Sequence, residues 1–157
     1  LHAFAFSPDD RSIVVGYEDG QVGFINATDG TLRSQSVHVP SIPLALAFCE
    51  AGRLLAIGTD VGEIYLYDLE SRQTRSIIKG HTSRVNALAT FPDGTTLVSG
   101  GRDRELKLWD TASGELLTTL FGHVRQVFSI SVSSDGQTIA SGGLEGDIRI
   151  WRSQPDR

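Results

Sequence analysis

Three side chains in the second half of the chain are of the types that perform nucleophilic chemistry. His81, Ser99 and Asp103 could form a catalytic triad, in which serine attacks, histidine takes its proton and aspartate orients the histidine. In many such enzymes the nucleophilic serine lies in a sharp turn of the sequence Gly-x-Ser-x-Gly. Residues 97–101 are Leu-Val-Ser-Gly-Gly and do not match this motif. No segment supplies an evident oxyanion hole either. We therefore expect a structural role for these residues and do not expect the chain to be an enzyme.

The segments that carry these residues recur with a fixed period of 42 residues. His81 and Ser99 reappear as His123 and Ser141. The same spacing relates three further sets of positions: Gly16, Gly58, Gly100 and Gly142; Ile13, Leu55, Leu97 and Ile139; and Ile25, Tyr67, Trp109 and Trp151. A period in this range indicates that the chain consists of copies of one supersecondary unit.

Each copy has the pattern of short strands. In the third copy, residues 85–89, 96–100, 106–109 and 115–120 are rich in apolar residues and mostly alternate them with small or polar ones. Turn sequences separate them, namely Pro92-Asp93-Gly94, residues 102–105 and Ala112-Ser113-Gly114. No stretch shows a helical period over ten residues. The pattern predicts four short antiparallel strands in each copy and an all-β fold.

Composition argues against several classes of protein. The 157 residues carry a net charge of −5 with no block of like charges, which does not favour a nucleic-acid or membrane surface. No apolar run approaches the roughly 18–20 residues of a membrane span, and no signal peptide is visible. The single cysteine, Cys49, excludes an internal disulfide, and we expect it to be a buried thiol. We expect an intracellular protein, cytoplasmic or nuclear.

Cofactors and metals are not favoured. The Gly-rich segments 58–62 and 99–101 join strand to strand, whereas a phosphate cradle needs a following helix N-terminus. The histidines at positions 2, 38, 81 and 123 are too scattered for a zinc site with local ligand spacing. The sequence contains no methionine and begins in mid-pattern, so we expect it to be a piece of a longer protein.

Gly-His pairs at 80–81 and 122–123, and the Trp-Asp pair at 109–110, fall at fixed places in this repeat. With four strands per copy, they resemble the WD-repeat family of β-propellers along the whole chain. The resemblance implies four-stranded antiparallel blades at about 1–38, 39–80, 81–122 and 123–157, the last without its outer strand. It predicts 15 strands in an open arc of about 3.7 blades, with apolar faces exposed at both ends, belonging to a seven- or eight-bladed propeller.

In this family a histidine, a serine or threonine, an aspartate and the tryptophan form a hydrogen-bonded set within a blade. The resemblance therefore implies a complete set in copy three and a variant set in copy four: His81, Ser99, Asp103 and Trp109; and His123, Ser141, Glu145 and Trp151. In copy two, apolar residues replace the whole set: Val39, Ile57, Val61 and Tyr67. In copy one, Asp19 has no such partners, and we expect it to cap its turn or face water.

The resemblance also implies how the protein works. We expect a non-enzymatic scaffold whose partners are other proteins or peptides and the remaining blades of the same chain. The alternative is a regulatory domain of a larger protein, such as a nucleotide-switch ATPase or a ubiquitin-ligase subunit. Some WD-repeat proteins bind an adaptor of ubiquitin ligases through a Trp-Asp-x-Arg ending, and this ending is missing at Trp109 and Trp151. The candidate partner-binding residues lie near the histidine and aspartate positions: Arg84, Asn86, Arg102, Gln126, Phe128 and Leu144.

Overall fold

A computed structural model describes residues 2–153 of the chain, which form 15 antiparallel strands in four sheets. The all-β architecture predicted from the repeat is therefore confirmed. Each sheet is a meander, in which consecutive strands are neighbours. Only one other regular element occurs among the described residues, a short 3-10 turn at Glu50–Gly52.

The first two sheets have four strands each. Sheet one contains β1 (Ala3–Phe6), β2 (Ser12–Gly16), β3 (Gln21–Asn26) and β4 (Leu32–His38). Sheet two contains β5 (Pro43–Cys49), β6 (Leu54–Thr59), β7 (Glu63–Asp68) and β8 (Gln73–Lys79).

The third sheet also has four strands, and the fourth has three among the described residues. Sheet three contains β9 (Val85–Thr90), β10 (Thr96–Gly101), β11 (Leu106–Asp110) and β12 (Leu116–Leu120). Sheet four contains β13 (Val127–Val132), β14 (Thr138–Gly143) and β15 (Ile148–Arg152). The proposed blade boundaries stay a prediction, and residues 154–157 at the end of the last predicted blade lie outside the described part.

The apolar residues of a strand divide between its two faces. In β6, Leu55 and Ile57 pack against sheet one, while Leu54 and Ala56 pack against sheet three. This follows from the twofold alternation of side chains along a strand. A third cluster joins sheets three and four through Val98, Leu106, Val127 and Ile139. The sheets thus stack face to face in chain order, and each is covered by its neighbours.

The outer faces of the first and last sheets lack such cover in this structure. Phe4 and Phe6 are 66% and 56% exposed on β1, and Ile148 and Ile150 are 75% and 53% exposed on β15. Leu46 and Phe48 are the counterparts of the two phenylalanines in sheet two and pack against sheet one. The expectation of exposed apolar faces at both ends of the arc is therefore confirmed.

The glycines at positions 16, 58 and 100 permit this close stacking. A Cβ atom added to Gly58 would lie 2.7 Å from Cγ1 of Val85, on the first strand of the next sheet. A Cβ on Gly100 would lie 2.7 Å from Cγ1 of Val127 and 2.8 Å from Cδ1 of Ile130. The periodic glycine is therefore needed for contact between sheets.

Hydrogen bonds supplement the apolar contacts between sheets two and three. The hydroxyl of Thr90 donates to the carbonyl of Phe48 over 2.8 Å, and the backbone N–H of Glu50 donates to the carbonyl of Gly94 over 2.9 Å. Cys49 is 1% exposed in the same interface, and burial raises the pKa of its thiol to about 11. It is the buried thiol that we expected.

Replacing Gly100 by alanine tests the stacking. We expect Gly100→Ala to lower the free energy of unfolding by about 1–3 kcal/mol, because its methyl group would overpack the interface between sheets three and four. The matched control is Gly142→Ala, since a Cβ at Gly142 would meet only the mobile hydroxyl of Ser129. We expect this change to cost less than about 1 kcal/mol. Equal losses in chemical denaturation would contradict the assignment.

Candidate functional site

The four polar residues singled out in copy three lie within hydrogen-bonding distance of one another. Nδ1 of His81 lies 2.8 Å from Oδ2 of Asp103, and Nε2 lies 2.7 Å from Oγ of Ser99. The indole Nε1 of Trp109 donates to the same Oγ over 2.7 Å. Ser99 is on β10 and Trp109 on β11, while His81 and Asp103 are in the adjoining loops. The set therefore ties two strands and two loops of sheet three together.

The donors and acceptors of this set match in only one order when His81 is neutral. The indole can only donate, so Ser99 accepts from Trp109 and its own hydroxyl proton points to Nε2 of His81. The proton of the imidazole then resides on Nδ1 and is donated to the carboxylate of Asp103. Every buried polar atom in this relay finds a partner, which avoids roughly 1–3 kcal/mol of desolvation cost for each unpaired group.

Asp103 also organises the backbone around it. Its carboxylate accepts hydrogen bonds from the backbone N–H of Thr82 over 3.0 Å and of Glu105 over 3.4 Å. Burial opposes ionisation of this group, but the bond to His81 and these N–H donors outweigh it. The pKa of Asp103 is therefore held below its ordinary value. The carboxylate fixes the turn at 102–105 to the start of the loop at 81–84.

This arrangement gives Ser99 no catalytic geometry. The residue has no exposed surface, and its hydroxyl is engaged by both Trp109 and His81. A nucleophile must reach a substrate carbonyl, and no such approach to this oxygen exists. The polar set accordingly supports the blade and performs no chemistry at Ser99.

Sheet four repeats the set with one difference. His123 lies 2.7 Å from Oγ of Ser141, and the indole of Trp151 donates to that Oγ over 2.9 Å. Nδ1 of His123 bonds Oε1 of Glu145, which occupies the aspartate position. The longer side chain leaves Oε2 of Glu145 buried without a hydrogen-bond partner among residues 2–153. The Glu145 set is therefore less completely satisfied than the Asp103 set.

In sheet two, the apolar replacement involves three positions instead of the four we expected. Val39, Ile57 and Tyr67 belong to the cluster between sheets one and two. Val61 is 56% exposed, so its expected place in the apolar set is wrong. The aspartate position lies in a tight turn, where the carboxylates of Asp103 and Glu145 each bind a histidine. The short valine side chain has no such partner and remains in water.

Asp19 in sheet one behaves as expected for an aspartate without a histidine. It is exposed, and its carboxylate accepts a hydrogen bond from the backbone N–H of Gln21 over 3.1 Å. It caps its own turn and makes no hydrogen bond with a serine or tryptophan side chain within residues 2–153.

Gly101 and Gly143, which the sequence alone did not connect with the polar sets, make room for them. A Cβ on Gly101 would lie 2.7 Å from Oδ1 of Asp103 and 2.8 Å from Nδ1 of His81. A Cβ on Gly143 would collide with the carboxylate of Glu145 in the same way. The equivalent positions in the two copies without the set are Tyr17 and Thr59. The Gly-Gly pairs at 100–101 and 142–143 were therefore the sequence signal for this requirement.

Most of the candidate partner-binding residues lie in loops at one edge of the sheets, which we call the upper face. These loops join the second and third strands of a sheet and connect each sheet to the next, and they comprise residues 17–20, 39–42, 60–62, 80–84, 102–105, 121–126 and 144–147. In antiparallel meanders, these loops must share an edge. The loops that join first to second and third to fourth strands form the opposite edge, the lower face.

Backbone hydrogen bonds bring four of the candidates together in two pairs on the upper face. The N–H of Arg102 donates to the carbonyl of Arg84 over 2.9 Å, and the N–H of Leu144 donates to that of Gln126 over the same distance. Asp60 and Ile42 repeat the bond in sheet two. Arg84, Arg102 and Leu144 are exposed, and Gln126 is half-buried. The loops are thus held rigidly against each other.

The other two candidates lie at strand irregularities next to the upper face. The amide of Asn86 donates to the carbonyl of Val127 over 2.8 Å, which joins sheet three to sheet four. Asn86 is half-buried and has a structural role through this bond, while its expected contact with a partner stays a prediction. Phe128 occupies the same position in sheet four, at a register shift of β13, and is 49% exposed.

The lower face contains an ion-pair cluster that the repeat did not reveal. Arg75 donates to Glu50 over 2.6 Å and to Asp68 over 3.0 Å, and Arg53 lies 3.4 Å from Asp68. Hydrogen bonds from the backbone N–H of Ser71 and from Arg75 hold the pKa of Asp68 well below its ordinary range. The cluster joins loop 50–53 to strands β7 and β8.

Neither a metal centre nor a membrane span is apparent in the described part. Within residues 2–153, no group of three or more His, Cys, Asp or Glu side chains could hold a metal ion. No helix in that range is long and apolar enough to cross a membrane.

Antiparallel four-stranded sheets stacked face to face, with a His-Ser-Asp-Trp set inside a sheet, are the blades of a β-propeller. The family model described as "WD domain, G-beta repeat" matches residues 72–110 and 114–152. The chain belongs to the WD-repeat family, whose propellers generally mediate protein–protein interactions.

Solved structures support the same fold. "Structure of U3-55K" superposes with a TM-score of 0.86 at 24% identity, and "Crystal structure of RRP9 WD40 repeats" with 0.85 at 24%. The two superpositions include 97% and 96% of this chain but only 48% and 47% of the U3-55K and RRP9 chains. The chain thus spans about half the length of these structures. No curated protein sequence matches it.

Replacing Asp103 by alanine tests the role of the polar set. We expect Asp103→Ala to reduce the free energy of unfolding by about 1–3 kcal/mol, because His81 and the N–H of Thr82 lose their acceptor. Asp19→Ala is the matched control and should cost less than about 1 kcal/mol, since Asp19 is exposed and caps only its turn. Urea denaturation of both variants measures the difference. A loss at Asp103 no larger than at Asp19 would refute the role.

Proposed function

We propose that the chain is a non-enzymatic scaffold that presents its upper face to other proteins or peptides. The observation that carries this proposal is the pair Arg84 and Arg102, whose loops are joined by a 2.9 Å backbone hydrogen bond. Both side chains are exposed, and neither forms an ion pair with another residue in 2–153. Two unpaired guanidinium groups on loops whose backbones are bonded to each other are suited to contact a partner.

The physical argument is one of preorganisation. A partner that binds mobile loops must order them, and that cost reduces affinity. On the upper face, the backbone bonds and the Asp103 carboxylate already fix the loops. Arginine is enriched among the residues that contribute most to binding at interfaces. Its planar fork of donors can form two parallel hydrogen bonds with one carboxylate. Gln126 and Leu144 extend the proposed contact surface onto sheet four.

The polar sets have a supporting part in this proposal. His81 and Asp103 belong to the same two loops as Arg84 and Arg102, so the hydrogen bonds of the set hold the presenting backbone in place. The alternative function, a regulatory domain within a larger protein, would use the same surface for contacts with that protein.

Charge reversal on the upper face tests the proposal. We expect the double variant Arg84→Glu, Arg102→Glu to recover at least about tenfold less of its protein partners in a pull-down, because losing two interface arginines typically costs more than about 1.4 kcal/mol.

The matched control is Arg11→Glu, Arg72→Glu, which makes the same change of charge on the lower face. Both of these side chains are exposed. We expect the control to recover its partners as the unchanged chain does. Unchanged recovery by the upper-face variant would reject the upper face as the binding surface.

A further inference from the structure

One turn of the upper face carries an arginine where its counterparts carry glycine. The turns that join the second and third strands contain Gly20, Gly62 and Gly146 at φ angles of +85°, +90° and +89°. The equivalent residue of sheet three is Arg104, at a φ of +74°. This left-handed backbone is disfavoured for a residue with a Cβ atom. The turn of sheet three is therefore strained at Arg104, which places a guanidinium group where the other turns have none.

Strain alone does not indicate function, because the lower face contains a similar case. Arg72 has a φ of +57°, while its counterparts Gly30 and Gly114 have φ angles of +71° and +75°. The neighbours of the two arginines differ. Arg72 follows Glu70 and Ser71, in the loop next to the ion pairs of Asp68. Arg104 lies in loops that contain three further arginines.

The repeat defines the surroundings of Arg104. Gly62 lies so close to the next loop that an added Cβ would be 2.5 Å from the carbonyl oxygen of His81 and 2.8 Å from that of Ser83. The counterparts of His81 and Ser83 next to Arg104 are His123 and Arg125. From this equivalence in the repeat we infer that Arg104 faces the Arg125 loop across the junction of sheets three and four. Within sheet three, Arg102 lies in the same turn as Arg104, and its N–H donates to the carbonyl of Arg84.

These four arginines have no partner within the described residues. Arg84, Arg102, Arg104 and Arg125 are all exposed and make no ion pair or side-chain hydrogen bond in residues 2–153.

Three carboxylates of the same loops have other partners. Asp103 binds His81, Glu105 lies 2.7 Å from Lys107, and Glu145 binds His123. Only Asp147, which is exposed in the turn of sheet four, makes no ion pair among residues 2–153. The four like charges lie in adjoining loops and would be stabilised by an anion.

The charge of the neighbouring loops indicates what kind of anion fits. The upper face of sheets one and two contains Glu18, Asp19 and Asp60 and no lysine or arginine. An extended nucleic acid that continued beyond the arginines would reach the acidic loops of sheets one and two, which would repel its phosphates. A short acidic segment can bind the four arginines without crossing those loops.

Apolar side chains beside the arginines favour a peptide. Val124 is 66% exposed next to Arg125, and Leu144 is 51% exposed in the neighbouring turn. A peptide can supply carboxylates to the guanidinium groups and an aliphatic side chain to this apolar rim. Arginine binds carboxylates in a bidentate geometry.

We propose that Arg84, Arg102, Arg104 and Arg125 form a binding site for a short acidic peptide segment, with Val124 and Leu144 contacting an aliphatic side chain of that segment. This inference rests on the proposed scaffold function and specifies the chemistry of the partner. In this site, Arg104 replaces the glycine that the other three sheets have at the equivalent position.

The substitution Arg104→Gly provides a direct test, because it restores the residue found in the other three turns. The probe is a fluorescently labelled twelve-residue peptide of Glu and Asp with one central Leu, titrated with the chain and followed by anisotropy. We expect Arg104→Gly to weaken binding about five- to tenfold without lowering the melting temperature. Arg72→Gly is the matched control, with the same change in the same backbone conformation, and should bind like the unchanged chain.

Two further arms make each outcome decisive. Arg104→Asn, which tolerates the left-handed conformation, should weaken binding as Arg104→Gly does. Binding unchanged within twofold in both variants would overturn the inference, as would no binding of the peptide at all. A single-stranded oligonucleotide that binds more tightly than the peptide, and does so through Arg104, would overturn the assignment to peptides. Weak binding of inorganic phosphate alone, far below that of the peptide, is expected.

The two proposals can fail separately. Suppose that Arg84→Glu, Arg102→Glu loses its protein partners while peptide binding is unchanged in the Arg104 variants. The scaffold function then stands, and the acidic-peptide site is rejected. If partner recovery is unchanged in that double variant, the upper face itself is rejected.

Discussion

The structure depends on one constraint: each sheet has two apolar faces, and each face is covered only by the neighbouring sheet. The alternating residues of β6 fill two clusters at once, so sheet two is the most completely buried part of the stack. The periodic glycine on the second strand lets the next sheet approach, and the packing repeats as a nearly one-dimensional series. Phe4 at one end and Ile148 at the other are exposed because the series stops there in this structure.

The polar sets are an addition to this packing. Sheet three uses a fully bonded set, sheet four uses one with an unpaired Glu145 oxygen, and sheet two replaces most of it with apolar groups. A buried network stabilises when every member has a partner and otherwise costs free energy. All four sheets keep the same antiparallel strand order despite these differences, and the sets join strands to the loops beside them. Ser99 is fully buried and engaged in cohesion, so it is unavailable to partners, whereas the unpaired arginines are exposed.

The sequence predicts the fold almost completely, because 42-residue spacing, strand alternation and turn residues all indicate the same unit. It predicts the site less well, since contacts between copies are invisible in a single copy. The exposure of Val61 and the engagement of Asn86 with the next sheet depend on how a turn and a strand meet their neighbours. Gly101 and Arg104 could have been found by comparing the copies. Gly101 occurs with histidine-containing sets, and Arg104 interrupts a glycine position.

Amide hydrogen exchange, resolved strand by strand, tests most directly whether mutual coverage of neighbouring sheets stabilises the molecule. Strands covered on both faces should open only with most of the stack, and end strands should open locally. We predict the slowest exchange in β6 and β10 and clearly faster exchange in β1 and β15. Equally slow exchange in β1, β15 and the central strands would contradict the account, because end sheets would then owe their stability to something other than a covering neighbour.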